Sequence, residues 1–146
     1  MMPCTKPPWS TLVAVDLAAG EIRWEVPLGT IDKLAPVPLP LNWGAPVTGG
    51  PLMTAGGLVF IAATADQRFR AFATDTGREV WSAPLPTSAH ANPMTYETGN
   101  RQFLVVAAGS HMFINAATID DYLVAYALPA AYLSPEGLED GAGGGP

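Results

Sequence analysis

Two histidines are among the residues of this chain whose side chains could serve a binding or metal site. His90 and His111 are the only histidines among 146 residues. A metal site built on them would need a carboxylate partner in suitable geometry, and the sequence spacing offers none. The chain also lacks a Gly-x-Ser-x-Gly elbow, a phosphate-binding P-loop, a dinucleotide fingerprint and a His-Glu-x-x-His motif. Hydrolase and nucleotide chemistry therefore have no support. A lone histidine in a loop is usually solvated.

Four further residues have both a plain and a functional interpretation. Asp66 is predicted in a tight turn, where aspartate commonly caps its own backbone. Gly49 and Gly50 precede a predicted strand, either as a plain turn or as a place where the lack of side chains lets backbone amides approach a ligand. Trp43, in a proline-rich loop, either packs locally or lines a substrate funnel. The residues alone favour local packing for Trp43 and leave the two glycines undecided.

The composition excludes several classes of protein. Hydrophobic residues make up 49% and charged residues 14%, against roughly 25% charged on average, which excludes a wholly disordered chain. The net charge is −6 and the seven basic residues are scattered, so no nucleic-acid partner is expected. The single cysteine, Cys4, excludes internal disulfides. The longest apolar run, 123–133, is too short to span a membrane, and the first residues lack the apolar core of a secretory signal.

Nine short runs of β-branched and aromatic residues predict an all-β fold. No stretch has helical periodicity, and the runs are bounded by Gly, Pro, Asp and Asn, which is typical of strands and turns. This pattern predicts a sandwich, a barrel or a propeller. The predicted strands are Thr11–Asp16, Ile22–Val26, Val47–Met53, Leu58–Thr64, Arg68–Ala73, Glu79–Pro84, Pro93–Glu97, Gln102–Ala108 and Tyr122–Ala127.

An internal repeat favours the propeller. Residues 14–24 and 71–81 both place a glycine six residues and a tryptophan ten residues after an alanine. In a hairpin, the glycine takes the turn position with positive φ. The tryptophans would then fill the wedge between neighbouring sheets, as docking residues. The repeated residues are Gly20 and Gly77, Trp24 and Trp81.

The strands divide unevenly between repeats. Four predicted strands in 47–84 form one complete blade, two precede it and three follow it, and a third copy of the repeat breaks off at Pro129. This predicts a partial β-propeller of about two to two and a half blades within 1–129. The segment 29–46 is predicted to be an inter-blade loop, and the glycine-rich tail 130–146 is predicted to be disordered.

Several sequence words resemble one family. The repeat Ala-x-Asp-x-x-x-Gly-x-x-x-Trp resembles the tryptophan-docking motif of eight-bladed quinoprotein alcohol dehydrogenases. More specific words resemble the membrane-bound glucose/quinate/shikimate-type dehydrogenases that use pyrroloquinoline quinone (PQQ), and the match spans about 3–129, the C-terminal end in that family. The words are Pro-Cys-Thr-Lys-Pro-Pro-Trp at 3–9, Thr-Ala-Gly-Gly-Leu-Val-Phe at 54–60, Pro-Met-Thr-Tyr-Glu at 93–97 and Asp-Tyr-Leu-Val-Ala-Tyr-Ala-Leu-Pro at 121–129.

The resemblance implies an enzyme at the periplasmic face of the inner membrane. It implies PQQ held with a calcium ion, oxidation of a sugar or polyol hydroxyl, and electron transfer to ubiquinone. In the family the catalytic aspartate, the cation ligands and the lysine that contacts the quinone belong to earlier blades. No catalytic residue and no metal ligand is therefore expected in this chain. Its partners would be the remaining blades, and alone it is expected to be inactive.

The resemblance also assigns candidate cofactor-binding residues. Asp66 resembles an acidic residue beside PQQ that pairs with its lysine. Thr48 lies where related enzymes place an aromatic residue near the cofactor, directly before Gly49 and Gly50. His111 matches the family in the loop between the last two predicted strands.

The sequence departs from the family pattern at three places. Ala73 replaces the repeat's usual Asp, and His90 stands where the family tends to have Gln. The stretch 109–112 reads Gly-Ser-His-Met in place of a glycine-rich sequence, and Ser and Met do not readily adopt positive φ. Two alternatives stay open: a non-enzymatic propeller scaffold with the same repeat, and a truncated product that is inactive alone.

Overall fold

Three antiparallel sheets follow one another along the chain. The computed structural model describes residues 5–32, 41–111 and 119–129, and within them there are nine strands and no helix. The strands are β1 (Thr11–Asp16), β2 (Glu21–Pro27), β3 (Leu52–Met53), β4 (Leu58–Ile61), β5 (Arg68–Ala73), β6 (Glu79–Pro84), β7 (Met94–Thr98), β8 (Arg101–Ala108) and β9 (Tyr122–Ala127).

The sheet order confirms the predicted grouping. The first sheet is β1-β2, the second is β3-β4-β5-β6 and the third is β7-β8-β9. A complete four-stranded blade thus lies between a two-stranded and a three-stranded one, and the chain is a partial β-propeller. The predicted tail 130–146 and much of the predicted loop 29–46 lie outside the described residues.

Two predicted strands are shorter than expected. The run 47–53 keeps only β3 and an isolated bridge between Val47 and Thr64, and β4 ends at Ile61. The cause is that Gly49 and Gly50 lie against the segment leading into the third sheet instead of pairing along β4. The other seven predictions agree with the structure to within one residue at each end.

The repeat is structural as well as sequential. The register shifts between Ala14 and Val15 in the first sheet and at the equivalent step, between Ala71 and Phe72, in the second. The turn glycines that follow have φ of +70° and +68°, and each donates its amide to the carbonyl four residues earlier. A β-bulge at the same place in both copies increases the local twist in the same way.

The two copies of the turn differ at the position that departs from the family. In the first copy Asp16 Oδ1 accepts from the amides of Ala18 and Ala19 at 3.0 and 3.1 Å. Ala73 has no such oxygen in the second copy, where the amide of Arg78 donates to Thr76 Oγ1 at 3.4 Å instead. The Thr76 hydroxyl accepts from an amide further along the turn than those that Asp16 caps, so it does not replace the lost cap.

Two apolar clusters form the core, one at each junction between sheets. The first contains Leu12, Leu28, Val59, Ile61, Ala63 and Phe72. The second contains Ala62, Phe69, Leu85, Ala89, Val106 and Ala108. Since the second sheet contributes to both clusters, it is the element on which the other two sheets depend.

The outer strands leave apolar side chains exposed. Among the described residues β1 pairs with β2 alone and β9 with β8 alone. Val15 on β1 is 51% exposed and Leu123 on β9 is 75% exposed. Open edges with exposed apolar residues are surfaces at which further strands can pair.

Candidate functional site

The first junction contains a tryptophan packed on a glycine. Trp24 Nε1 on β2 donates to the carbonyl oxygen of Thr74, in the second sheet, at 2.8 Å. A Cβ added to Gly77 would lie 2.6 Å from Trp24 Cε3. The indole therefore occupies the space that a side chain at position 77 would need. This arrangement is the docking contact predicted from the repeat.

At the second junction the equivalent tryptophan, Trp81, packs against aromatic rings. Trp81 is 37% exposed and meets Tyr126 of the third sheet edge-on, with ring centroids 5.2 Å apart. Both rings also contact Phe69, at 5.8 Å. A largely apolar cavity of about 770 Å³ remains beside this cluster, lined by Phe60 and Leu104 among others. An aromatic cluster thus replaces the glycine contact.

Asp66 is buried in a network of four hydrogen bonds. Arg70 Nη1 donates to Asp66 Oδ1 at 3.1 Å, and Nη2 donates to Oδ2 as the second arm of a bidentate pair. Thr64 Oγ1 donates to Oδ1 at 2.6 Å, and the amide of Thr30 donates to Oδ2 at 2.9 Å. Arg70 Nε also lies 3.3 Å from an oxygen of Glu79. Asp66 thereby links the end of the first sheet to the second.

The electrostatics keep this carboxylate charged. Burial raises the pKa of Asp66, but the hydrogen bonds and charge of Arg70, with help from Thr64 and Thr30, outweigh burial and lower that pKa. A buried charge is tolerated when it is paired and its lone pairs are satisfied. The structure supplies Arg70 as a partner that sequence reasoning missed. The available signal was an arginine in the interior of β5, between the apolar residues Phe69 and Ala71.

The predicted cofactor contact of Asp66 stays a prediction. Both of its oxygens already accept two hydrogen bonds, and its side chain is only 1% exposed. The plain role predicted for Asp66, a turn aspartate capping its own backbone, is not what its hydrogen bonds show. Its donors are Arg70 on the following strand, the hydroxyl of Thr64 and the amide of Thr30, in the segment after β2.

The remaining predicted cofactor residues meet at one place, which we call the histidine seam. It joins the segment before β3 to the segments before β7 and after β8. Thr48 Oγ1 lies 2.6 Å from His90 Nδ1, and the His90 ring meets the His111 ring edge-on at 5.7 Å. The amide of Gly50 donates to Asn92 Oδ1 at 2.6 Å. The seam consists of Thr48, Gly49, Gly50, Ser88, His90, Asn92, Ser110 and His111.

The glycines of the seam serve a packing purpose that the sequence did not reveal. A Cβ on Gly49 would lie 2.7 Å from the carbonyl oxygen of His90, and one on Gly50 would lie 3.0 Å from Asn92 Oδ1. The close approach is therefore to the neighbouring chain segment. The Gly50 amide, proposed above as a ligand donor, is taken by Asn92. Contact of these glycines with a cofactor stays a prediction.

Ser110 shows that the departure from a glycine-rich sequence is accommodated. It has φ of +61°, a region that non-glycine residues rarely adopt. Its amide donates to the carbonyl oxygen of Ser88 at 2.8 Å, and Ser88 Oγ donates to Ser110 Oγ at 3.2 Å. These two bonds hold the strained residue directly before His111. Met112, the last residue of the stretch that departs from the glycine-rich sequence, lies outside the described residues.

His90 is neutral at ordinary pH. Burial first, and then the neighbouring charge of His111, lower the pKa of His90 from its usual 6.5. Its Nε2 lies 3.2 Å from Ser88 Oγ. Sequence reasoning gave His90 little weight. The available signal was the uncharged polar run 87–92, which reads Thr-Ser-Ala-His-Ala-Asn.

Trp43 packs locally, as the residues alone favoured. Its ring meets that of Trp9 edge-on at 5.8 Å, and the amide of Trp9 donates to the carbonyl oxygen of Trp43 at 2.7 Å. This contact fastens the end of the long loop to the strand entering the first sheet. The described geometry offers no support for the substrate-funnel interpretation.

The described residues gather polar groups at the seam, several of them already hydrogen-bonded to one another, and offer no cation site. Thr48, His90, Asn92 and Ser110 gather hydroxyl, imidazole and amide groups at one seam, which suits one wall of a site for a polar planar ligand. No group of three or more His, Cys, Asp or Glu side chains among the described residues could hold a metal ion. Contact between the seam and PQQ stays a prediction.

The sheets, the docking repeat and the seam together define a quinoprotein-type propeller segment, and comparisons with known proteins agree. The family described as "PQQ: Glucose/ethanol/alcohol dehydrogenase, beta-propeller domain" matches residues 1–104. The chain belongs to this family, and membership implies PQQ as the cofactor.

Curated relatives match nearly the whole chain. The chain is 45% identical to the glycerol dehydrogenase large subunit of Gluconobacter oxydans, over 88% of this chain and 18% of that protein. It is 42% identical to the quinoprotein glucose dehydrogenase of Escherichia coli, over 88% and 16% respectively. It is also 42% identical to the quinate/shikimate dehydrogenase (quinone) of Acinetobacter baylyi, over 87% and 16%. The chain thus spans less than a fifth of the length of these relatives.

A solved structure supports the fold assignment. The quinohemoprotein alcohol dehydrogenase of Comamonas testosteroni superposes with a TM-score of 0.52 and 34% identity, over 68% of this chain and 12% of that one. Within the described residues, no helix is long and apolar enough to cross a membrane.

Proposed function

We propose that this chain supplies the C-terminal sheets of a PQQ-dependent dehydrogenase that oxidises a sugar or polyol hydroxyl. Family membership supports the cofactor, and relatives named for glucose, glycerol and quinate or shikimate support the substrate class. The chain spans 16% to 18% of those relatives' length. The whole enzyme's activity would therefore depend on further blades.

One observation carries the proposal. Three of the five predicted cofactor residues, the consecutive Thr48, Gly49 and Gly50, share the histidine seam with a fourth, His111, which is distant in the sequence and is linked to them through His90. A non-enzymatic scaffold would need the Trp24 docking contact but would have no need for a seam of imidazoles and hydroxyls. The seam therefore favours the enzyme over the scaffold.

The residues of this chain would bind the cofactor or the substrate and orient it. PQQ, when bound, supplies the acceptor for the two electrons removed from the alcohol. The hydroxyls and imidazoles of the seam would face one side of the cofactor or the substrate. Asp66 would act indirectly, by holding the backbone of Thr30 and the side chain of Arg70 in place. The catalytic base, calcium and its ligands would belong to other blades.

The electron acceptor we propose is a membrane quinone. The support is the relative whose name specifies a quinone. An acceptor in the membrane would place the active enzyme at the periplasmic face of the inner membrane, with ubiquinone and the remaining blades as its partners.

A chimera tests the proposal. The segment of the E. coli quinoprotein glucose dehydrogenase that matches this chain would be replaced by this chain, and the product reconstituted with PQQ and calcium. We expect PQQ-dependent dye reduction with glucose or a polyol, and binding of PQQ by fluorescence titration. The 146-residue chain alone should give no turnover, because a cofactor facing one wall would be open to water.

The control is the same host with its matching segment deleted. A chimera that folds but neither binds PQQ nor turns over would favour the scaffold alternative. Robust turnover by the 146-residue chain as a monomer would contradict the proposal that further blades are needed.

A further inference from the structure

We propose that His90 is a positioning residue that sets the location of His111 relative to the Thr48–Gly50 segment, across the junction of the second and third sheets. This inference rests on the proposed function, because it treats His111 as part of the cofactor or substrate wall. It goes beyond that function by assigning a role to a residue that departs from the family pattern.

The hydrogen bonds fix the ring of His90 in one orientation. Ser88 Oγ gives its single hydrogen to Ser110 Oγ, so Ser88 can only accept from His90 Nε2. Nε2 therefore carries the ring hydrogen. Nδ1 is then an acceptor and takes the hydroxyl hydrogen of Thr48 at 2.6 Å. His90 is thus held from both sides in its neutral Nε2–H form.

The same chain of bonds reaches the backbone that carries His111. Ser110 has positive φ and is tied to Ser88 through both its amide and its hydroxyl. A strained residue persists only where its surroundings over-determine it. Since His90 orients Ser88, and Ser88 holds Ser110, a change at His90 is transmitted to the residue that follows Ser110.

The close packing around His90 leaves it little freedom to move. Its carbonyl oxygen lies 2.7 Å from the position that a Cβ of Gly49 would take, and its ring lies against that of His111. Loss of the ring would remove the acceptor of the Thr48 hydroxyl and the donor to Ser88 Oγ. A glutamine offers one acceptor and one donor group at similar reach, so it can replace both ring nitrogens.

The test exploits the fact that the chain has two histidines. Nitrogen-15 spectra of the 146-residue chain would report both rings, and the H90Q and H90A variants leave His111 as the single source of imidazole signals. We expect the wild-type His90 to be the Nε2–H tautomer. T48V and H90A should shift the ring signals of His111, while H90Q should leave them close to their wild-type positions.

A matched control removes a hydroxyl elsewhere on the same sheet. Thr54 Oγ1 donates to the carbonyl of Leu58 in the β3–β4 turn, away from the seam. T54V should leave both histidines unchanged. An Nδ1–H tautomer at His90, or unchanged His111 signals in both T48V and H90A, would overturn the inference.

A second readout separates this inference from the proposed function. In the chimera, H90A should lower kcat/KM about 10-fold or more, as expected for a displaced site group, and H90Q should restore most of the loss. If His111 responds in the spectra but the chimera binds no PQQ, the positioning role stands and the proposed function fails. If the chimera is active and H90A changes neither His111 nor kcat/KM, the positioning role fails alone.

Discussion

The two junctions between sheets use equivalent tryptophans in different ways. Trp24 packs on Gly77 and donates a hydrogen bond to Thr74, and it has the first apolar cluster behind it. Trp81 occupies the same place in the repeat but meets Tyr126, remains 37% exposed and borders a cavity of about 770 Å³.

The difference lies in the receiving sheet and not in the tryptophan. The second sheet presents a glycine in the left-handed region at the point where the indole arrives, so the ring approaches the backbone closely enough to donate a hydrogen bond. The third copy of the repeat has already broken off at Pro129. A repeated tryptophan therefore predicts where a docking contact is possible, and the glycine one repeat later decides how tight that contact is.

The largest expected effect is loss of the first docking tryptophan. Trp24→Ala removes a packed indole and its hydrogen bond, and should lower the free energy of unfolding by about 3–4 kcal/mol. Trp81→Ala should cost about 1–2 kcal/mol, because a third of that ring already faces solvent. Urea denaturation of both variants measures the difference. Equal losses would mean that the two junctions are energetically alike.

An intermediate effect is expected at the receiving glycine. Gly77→Ala should cost about 2–3 kcal/mol, because its Cβ would displace the Trp24 ring in addition to the penalty for a side chain at positive φ. Gly20→Ala is the matched control, since φ is nearly the same there and nothing lies within 4 Å of its Cβ. It should cost about 1 kcal/mol. Similar costs at both positions would contradict a docking role for Gly77.

The smallest expected effect is a change of stability with pH near neutrality. It arises at the second junction, because both histidines of the chain lie in the histidine seam. Burial, and then His111, lower the pKa of His90 below 6.5 in the folded chain. At a pH between the lowered pKa of the folded chain and the pKa of 6.5 in the unfolded chain, the unfolded chain binds more protons than the folded one. The free energy of unfolding therefore falls as the pH drops through 6.5.

Thermal unfolding between pH 7.5 and 5.5 measures this dependence. His90→Gln should flatten it, whereas the contribution of Asp66, whose pKa is lowered, appears only at more acidic pH. A slope that is identical in His90→Gln and the wild type would contradict the burial of a neutral His90.

The strand pattern could be read from the sequence because it depends on local residues. β1, β5, β6 and β9 have the predicted bounds, since each is an apolar run ended by turn residues. The predicted run 47–53 was wrong for most of its length, because whether Gly49 and Gly50 pair along a strand depends on a segment some 42 residues away.

The site could be predicted only in outline. Thr48 and His111 were named from the family resemblance and Gly49 and Gly50 from their lack of side chains, and the structure places all four in the seam. Their immediate partners were missed. Asn92 takes the Gly50 amide, and His90 connects Thr48 to the His111 loop, although the sequence favoured neither residue.

The sequence by itself determined the period of the repeat, the turn glycines, the strand count and the family. These features depend on neighbouring residues and on φ preferences that each residue carries with it. Only the tertiary structure decided that Trp24 meets Gly77, that Asp66 pairs with Arg70 and Thr30, and that two histidines share a seam. The contacts of Trp24, of Thr30 and of the seam join different sheets or the segments between them, and they depend on how those sheets pack, which no local pattern specifies.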